Sequence, residues 1–297
     1  MNSDHASGII PTVFPPAQSA LIWGKKVCVS LPWYKNVSPI TALCVAQLLD
    51  SRRTSFQLGY GDAFIAHSRN KCAEEFLRSG AEWQLQIDDD VIFPTGNAAF
   101  FRQQTGWTDY PEPFASFNGL DRLMAAKKTL IGGLYFGRWS KGDGMFAETK
   151  NPQVNALIRS GPKDEVRPTK WVATGFLLIH RSVYLDIEKR FPRLTRAPDG
   201  TGGNWYSSGD ASTLDYLERL QGELTDGPLD GKKAYRALEV ITAILTDARG
   251  NSPLGQGEDV CLCTRAAASG HQPFVDLGLM CGHLGVDVYG PKNTGMK

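Results

Sequence analysis

Three consecutive carboxylates, Asp88, Asp89 and Asp90, follow the stretch Trp83-Gln84-Leu85-Gln86-Ile87. Trp83, Leu85 and Ile87 alternate with two glutamines, the period-two pattern of a strand, so the carboxylates emerge at a strand's C-terminal end. Asp88 and Asp90 then project to one face and Asp89 to the other. Like charges beside a hydrophobic stretch are unfavourable unless something positive neutralises them. Hard oxygen donors suit magnesium or manganese, and such an ion would in turn hold a phosphate group. An acidic turn after an edge strand is the plainer account of the same residues.

Three further places carry chemistry. Arg69 lies four residues after Ile65 and three before Cys72, on the inward stripe of a predicted helix. A guanidinium there needs an anionic partner. Asp62, Asp88 and a ligand phosphate all qualify. Gly257-Glu258-Asp259 opens a later helix, where the helix dipole alone favours carboxylates. One of them, aimed into a cleft, would serve as a general base. His283, in Cys281-Gly282-His283-Leu284-Gly285, is poorly placed for core packing. It reads either as a ligand to the same cation or as a hydrogen-bonded surface histidine.

Positioning these groups falls to an alternation of strands and helices. Lys25–Leu31 reads as a strand, and Ser38-Pro39 opens a helix with serine as cap and proline at its first position. Ile40, Leu43, Cys44 and Leu48 give that helix an apolar stripe. A strand over Ser55–Gly59, a helix from about Phe64 to Arg78 and the acidic strand follow. Strand, helix, strand, helix, strand predicts an α/β fold with a mostly parallel sheet flanked by helices. Ligands bind such sheets at the carboxyl ends of the strands, where the three aspartates stand.

Residues 95–117 read as an aromatic-rich loop or insertion, and Thr129–Phe136 as a strand interrupted by Gly132-Gly133. That glycine pair marks either a ligand's approach or a bend in the sheet. Trp171–His180 is strongly apolar, and a helix follows with Val183, Tyr184, Ile187 and Phe191 on one face. Thr195–Asp210 reads as a glycine- and serine-rich loop. Helices are expected over about 212–224 and 234–246, then from Glu258 to about Ser269, before a last strand over Phe274–His283.

The chain has 297 residues and a formal net charge of +1, so no global basic field draws it to nucleic acid. A modest basic stretch runs through Lys150, Arg159, Lys163, Arg167 and Lys170. No apolar run approaches the roughly 20 residues that span a bilayer. Residues 1–22 read as an N-terminal arm without signal-peptide order, and 23–297 as one catalytic domain with a helical insertion at 192–254. Six cysteines without a C-x-x-C pair suit buried thiols in a reducing cytoplasm.

The order of these pieces resembles the GT-A glycosyltransferases, and within them small family-2-like enzymes of bacteria and phages. The matching stretches are Ala66-His67-Ser68-Arg69-Asn70, Gln86–Val91, Ile131-Gly132-Gly133-Leu134-Tyr135, Ala173–Ile179, Gly257-Glu258-Asp259-Val260 and Cys281-Gly282-His283. The resemblance implies a Rossmann-like sheet, a nucleotide-diphosphate sugar as donor, and Mn2+ or Mg2+. By family habit Asp90 holds the metal and Asp88 faces the donor or joins the metal ligands, with His283 completing the set. Arg69, Asn70, Asp88, Asp89 and Gly133 fall on the donor side, and Trp171, Thr174 and Gly175 on the acceptor side. Asp259 is the implied base, with Glu258 in reserve.

The expectation is therefore a metal-dependent, inverting glycosyltransferase acting on a glycan, a protein or a hydroxymethylated base in phage DNA. A nucleotidyltransferase and a non-catalytic binding protein on a transferase scaffold are the alternatives.

Overall fold

A computed structural model describes residues 26–33, 36–50, 53–59, 65–135, 147–148, 162–191, 195, 203–206, 230–238, 257–284 and 288–289. The elements are β1 (Val27–Leu31), α1 (Pro39–Leu48), β2 (Thr54–Leu58), α2 (Ile65–Ser79), β3 (Trp83–Ile87) and β4 (Val91–Ile92). Then come α3 (Ala98–Thr105), α4 (Glu112–Ala115), α5 (Gly119–Ala125), β5 (Leu130–Tyr135), β6 (Ala147–Glu148), β7 (Val166–Pro168) and β8 (Trp171–Val172). Last are β9 (Phe176–His180), α6 (Arg181–Arg190), α7 (Glu258–Ala268), β10 (Phe274–Leu284) and β11 (Val288–Tyr289). Residues 231–238 are also helical.

The central sheet has nine strands, in the order β11-β10-β5-β9-β3-β1-β2, with β4 and β7 pairing on β10. It is mixed, which corrects the expectation of a mostly parallel sheet. β1 runs parallel to β2 and β3, and β10 parallel to β5. Between these two parallel blocks β9 lies antiparallel to both β3 and β5. The apolar run from Trp171 to His180 is accordingly two strands separated by a turn at Thr174-Gly175.

Helices cover both faces. Tyr184 of α6 donates to Gln84, and Gln57 donates to the Cys72 carbonyl of α2, so α2 and α6 lie on the glutamine face. On the other face Gly119 of α5 approaches Phe176, whose register partner is Ile87. This explains why every residue of β1 is buried. It also reinterprets the alternation in β3. Gln84 and Gln86 are fully buried rather than solvated, and they join a polar layer. Gln84 donates to Ser30 (2.9 Å), the Tyr184 hydroxyl donates to Gln84 (2.6 Å), and that hydroxyl also meets Tyr206 (2.9 Å). These bonds offset most of the penalty of burying the amides, although Gln86 Oε1 has no partner among the described residues.

Two expectations about packing change. Leu43 points outward, 52% exposed, while Thr41 takes an inward place on α1. The aromatic insertion holds α3 and α4, and Phe101, Trp107 and Tyr110 pack on one another at 5.4–5.7 Å as a small core of their own. Trp107 is buried there and presents no surface for a nucleobase. The helix expected over 212–224 and most of the one expected over 234–246 lie outside the described residues.

Candidate functional site

β3 delivers the acidic turn to the carboxyl edge of the sheet, and three separate elements hold it there. Asp88 N–H donates to the Gly175 carbonyl (3.1 Å), in the turn that precedes β9. The Asp89 carbonyl accepts from Ser38 N–H (2.8 Å), the cap of α1. The Asp90 carbonyl accepts from Leu284 N–H (2.7 Å), at the end of β10. Successive peptides anchored in this way leave little freedom to the carboxylates they carry.

Arg69 enters from the second turn of α2 and is 3% exposed. One terminal nitrogen donates to Asp88 Oδ1 at 2.6 Å, and the other donates to Glu258 Oε1. Its Nε has no partner among the described residues. Burial alone would lower the guanidinium pKa, but Asp88 and Glu258 more than offset this and the net shift is upward. Of the two partners foreseen within the chain, Asp88 is the one used; Asp62 lies outside the described residues.

Glu258 and Asp259 form the first turn of α7, whose cap, Gly257, offers no side chain. Asp259 has no ion pair among the described residues. Its Oδ1 accepts from Val260 N–H at 2.7 Å. Burial first, and the Glu258 charge second, raise its pKa from 3.8 to about 6, against the lowering pull of Arg69. A carboxylate so poised suits proton transfer near neutral pH. The site thus separates two adjacent carboxylates: Glu258 is neutralised by Arg69, while Asp259 is left to titrate.

A second pair stands beside this cluster. His283 Nε2 lies 3.2 Å from Asp90 Oδ2, both largely buried. The pairing of β4 with β10, His283 opposite Val91, brings them together. Ligands of an octahedral magnesium ion, bound at about 2.1 Å, stand about 3 Å apart along an edge, so the pair matches one edge. The expected set of Asp88, Asp90 and His283 is not assembled. Among the described residues no group of three His, Cys, Asp or Glu side chains is gathered to hold a metal ion. Asp88 is drawn aside by Arg69.

The remaining site residues take different parts. Asn70 holds the main chain of Tyr206 at both ends, donating to its carbonyl (2.8 Å) and accepting from its N–H (2.9 Å). Gly133 sits in the sheet, where a Cβ would lie 2.9 Å from both Cys281 Sγ and the Leu279 carbonyl. Close strand packing requires that glycine, as it requires Gly132 against Val172. Gly175 touches the site through its carbonyl, Thr174 is buried beside it, and Trp171 is half-buried on β8. Asp89 contributes its carbonyl to the anchoring of the turn. In the basic stretch, Arg167 pairs with Glu165, and Lys150 and Arg159 lie outside the described residues.

Sequence reasoning did not find the strap at 203–206. Arg265 of α7, buried, donates to the Asn204 carbonyl (2.7 Å), and Trp205 Nε1 donates to the Tyr184 carbonyl (3.1 Å). Trp205 and Tyr206 are the only large aromatics in the glycine- and serine-rich run 195–210, and that pairing was the available signal.

Among the described residues no helix is long and apolar enough to cross a membrane. No family model matches the chain, and no curated protein matches it in sequence. The solved crystal structure of A197 from STIV aligns over 91% of each chain with 10% identity and a TM-score of 0.44, a likeness that carries no argument.

Proposed function

We propose that this chain is a glycosyltransferase of the GT-A type, moving a sugar from a nucleoside-diphosphate donor to an acceptor hydroxyl with inversion. The observation that carries the reading is the meeting of a strand end and a helix start that hold unlike carboxylates. The acidic turn after β3 faces the first turn of α7, and Arg69 neutralises one acid from each while Asp259 stays protonatable near pH 6.

In this reading Asp259 accepts the proton of the acceptor hydroxyl. The acceptor oxygen then bonds to the anomeric carbon, and the bond from that carbon to the phosphate oxygen breaks. Its electron pair leaves with the nucleoside diphosphate. Asp90 and His283 would hold a magnesium or manganese ion, with phosphate and water completing its shell. When bound, that ion offsets the negative charge that grows on the leaving diphosphate. Gly175 supports the reading from the other side, because its carbonyl fixes Asp88 and the turn it belongs to borders the site.

A panel of nucleotide sugars with manganese tests this, read by release of nucleoside diphosphate and by thermal shift. Wild type is expected to be stabilised by one donor only when the metal is present, and Asp90→Ala to lose that stabilisation. Asp259→Asn is expected to keep donor binding and lose roughly a hundredfold to ten-thousandfold in turnover. Release of pyrophosphate instead of nucleoside diphosphate would identify attack on phosphorus and overturn the assignment.

A further inference from the structure

We propose that Arg69 is a positioning residue that couples the acidic turn to the base-bearing helix, and that it does not contact the donor. The proposal rests on the transferase reading for what the coupling serves. Its geometry stands independently.

Each terminal nitrogen of Arg69 already donates to an acid of the protein, one to Asp88 at 2.6 Å and one to Glu258. These carboxylates belong to the turn after β3 and to α7, parts of the chain that approach only through the fold. At 3% exposure the guanidinium has no open face toward solvent. An arginine that received a diphosphate would present its fork to it. Here the fork spans two acids of the protein. The consequence is a fixed distance between the end of β3 and the start of α7, and hence between the donor side and Asp259.

The charged groups acting on Asp259 are Glu258 from its own helix, Arg69 from α2 and Asp88 from the turn after β3. Burial raises its pKa most, Glu258 raises it further, and Arg69 lowers it. Removing one partner or the other therefore moves Asp259 in opposite directions. An arginine too far from Asp259 to share its field would produce no such pair of signs.

Arg69→Gln, Glu258→Gln and the double variant are compared with wild type in the kcat–pH profile and in manganese–nucleoside diphosphate affinity. For Arg69→Gln, kcat falls about tenfold or more while donor KM changes by less than about threefold. Its acid limb moves to higher pH, that of Glu258→Gln moves to lower pH, and the double variant returns toward wild type. A rise of about tenfold in KM and in nucleoside-diphosphate Kd, with an unmoved pH limb, would mean phosphate contact and overturn the proposal. Loss of thermal stability with both limbs unmoved would overturn it as well. Arg69→Lys keeps the charge without the fork and is expected to retain the pH limb but not kcat. Should wild type turn over no nucleotide sugar, the functional reading fails by itself. The opposed shifts are then read from the Asp259 carboxyl by carbon NMR, and their absence sinks the coupling.

Discussion

Two arginines in this protein, Arg122 half-buried and Arg69 buried, each bridge two carboxylates, and they do so differently. Arg122 of α5 grips Asp276 with two bonds, Nε to Oδ2 at 2.7 Å and a terminal nitrogen to Oδ1 at 2.8 Å, and reaches Asp164 at 2.9 Å. Its guanidinium carbon lies 4.8 Å from the centroid of the Phe117 ring, and a Cβ on Gly278 would lie 2.9 Å from that carbon. Asp276 is 1% exposed and marks the place where β10 slips register against β5. Here the acid is sealed, with the fork, the ring and the glycine closing on Asp276, although Arg122 keeps 19% and Asp164 85% of its side-chain surface in contact with solvent. Arg69 instead divides its terminal nitrogens between acids from two elements, and its Nε has no partner among the described residues. Asp88 and Glu258 keep 19% of their side-chain surface in contact with solvent. A sealed bridge fixes a bulge. A divided bridge at the sheet's carboxyl edge holds acids apart while leaving them reachable, and reachability is what chemistry needs.

The widest separation between the two bridges is expected in stability. Arg122→Leu strands Asp276 without a counter-charge in a fully buried place and should cost about 3–5 kcal/mol in urea denaturation. Arg69→Leu should cost clearly less, because Asp88 and Glu258 can turn toward water. Equal costs would erase the distinction between a sealed bridge and a divided one.

Much of the divided bridge was legible in the chain. The alternation ending at Ile87 placed the acids at a strand's end, and the stripe of Ile65, Cys72 and Phe76 placed Arg69 inward. The sealed bridge was not legible, because nothing local links Arg122 to Asp276, 154 positions away. The same limit hid Glu258 as the partner of Arg69, 189 positions away. Alternation in β3 also has two physical sources, a wet face or a buried polar layer, and period alone does not separate them. Gln84 and Gln86 needed Tyr184 and Ser30 to reveal which applied. The reversal of β9 escaped because strand direction follows from which neighbours pair, and an apolar run reads the same in either direction. Asn70 carried no sign of its partner, since Tyr206 lies in a stretch read as loop.

Asp259 sharpens the comparison through pH. Its folded pKa of about 6 lies above the ordinary 3.8, so the folded protein binds the proton more tightly than the unfolded chain does. Stability from this group therefore falls as pH rises through the window from 3.8 to about 6 and is flat above it. At pH 7 the ionised carboxylate is a burden of about 3 kcal/mol, at 1.36 kcal/mol per unit. Asp259→Asn keeps an oxygen for Val260 N–H and removes the charge. It should stabilise the protein at pH 7 and do nothing below pH ~4, as denaturation at the two pH values would read. With Asp259 in the proposed role of base, the kcat of wild type should rise through about pH 6 as its carboxyl loses the proton. Replacing an acid of the sealed bridge, as in Asp276→Asn, should destabilise at pH 7 instead, since it leaves Arg122 without its main partner. A stabilised Asp276→Asn and a destabilised Asp259→Asn would invert the roles assigned to the two regions.

The smallest effect concerns Gly257. Its φ of −66° is open to any residue, so the backbone does not demand glycine there. The constraint is spatial, because a Cβ would stand 2.7 Å from Asp259 Oδ1. That oxygen ends a short side chain which turns aside at small cost, so Gly257→Ala should change stability by less than about 1 kcal/mol. Turning aside breaks the bond to Val260 N–H and moves the carboxylate from the position in which it would take a proton. Turnover should then fall about tenfold with donor binding unchanged, measured as kcat against the nucleoside-diphosphate Kd. At Gly278, where a Cβ would meet the Arg122 guanidinium and the Lys163 carbonyl, the same substitution should cost stability and spare the site. The two glycines thus carry the contrast between the bridges down to a single methyl group, which shifts an acid in one region and forces a sealed pair open in the other.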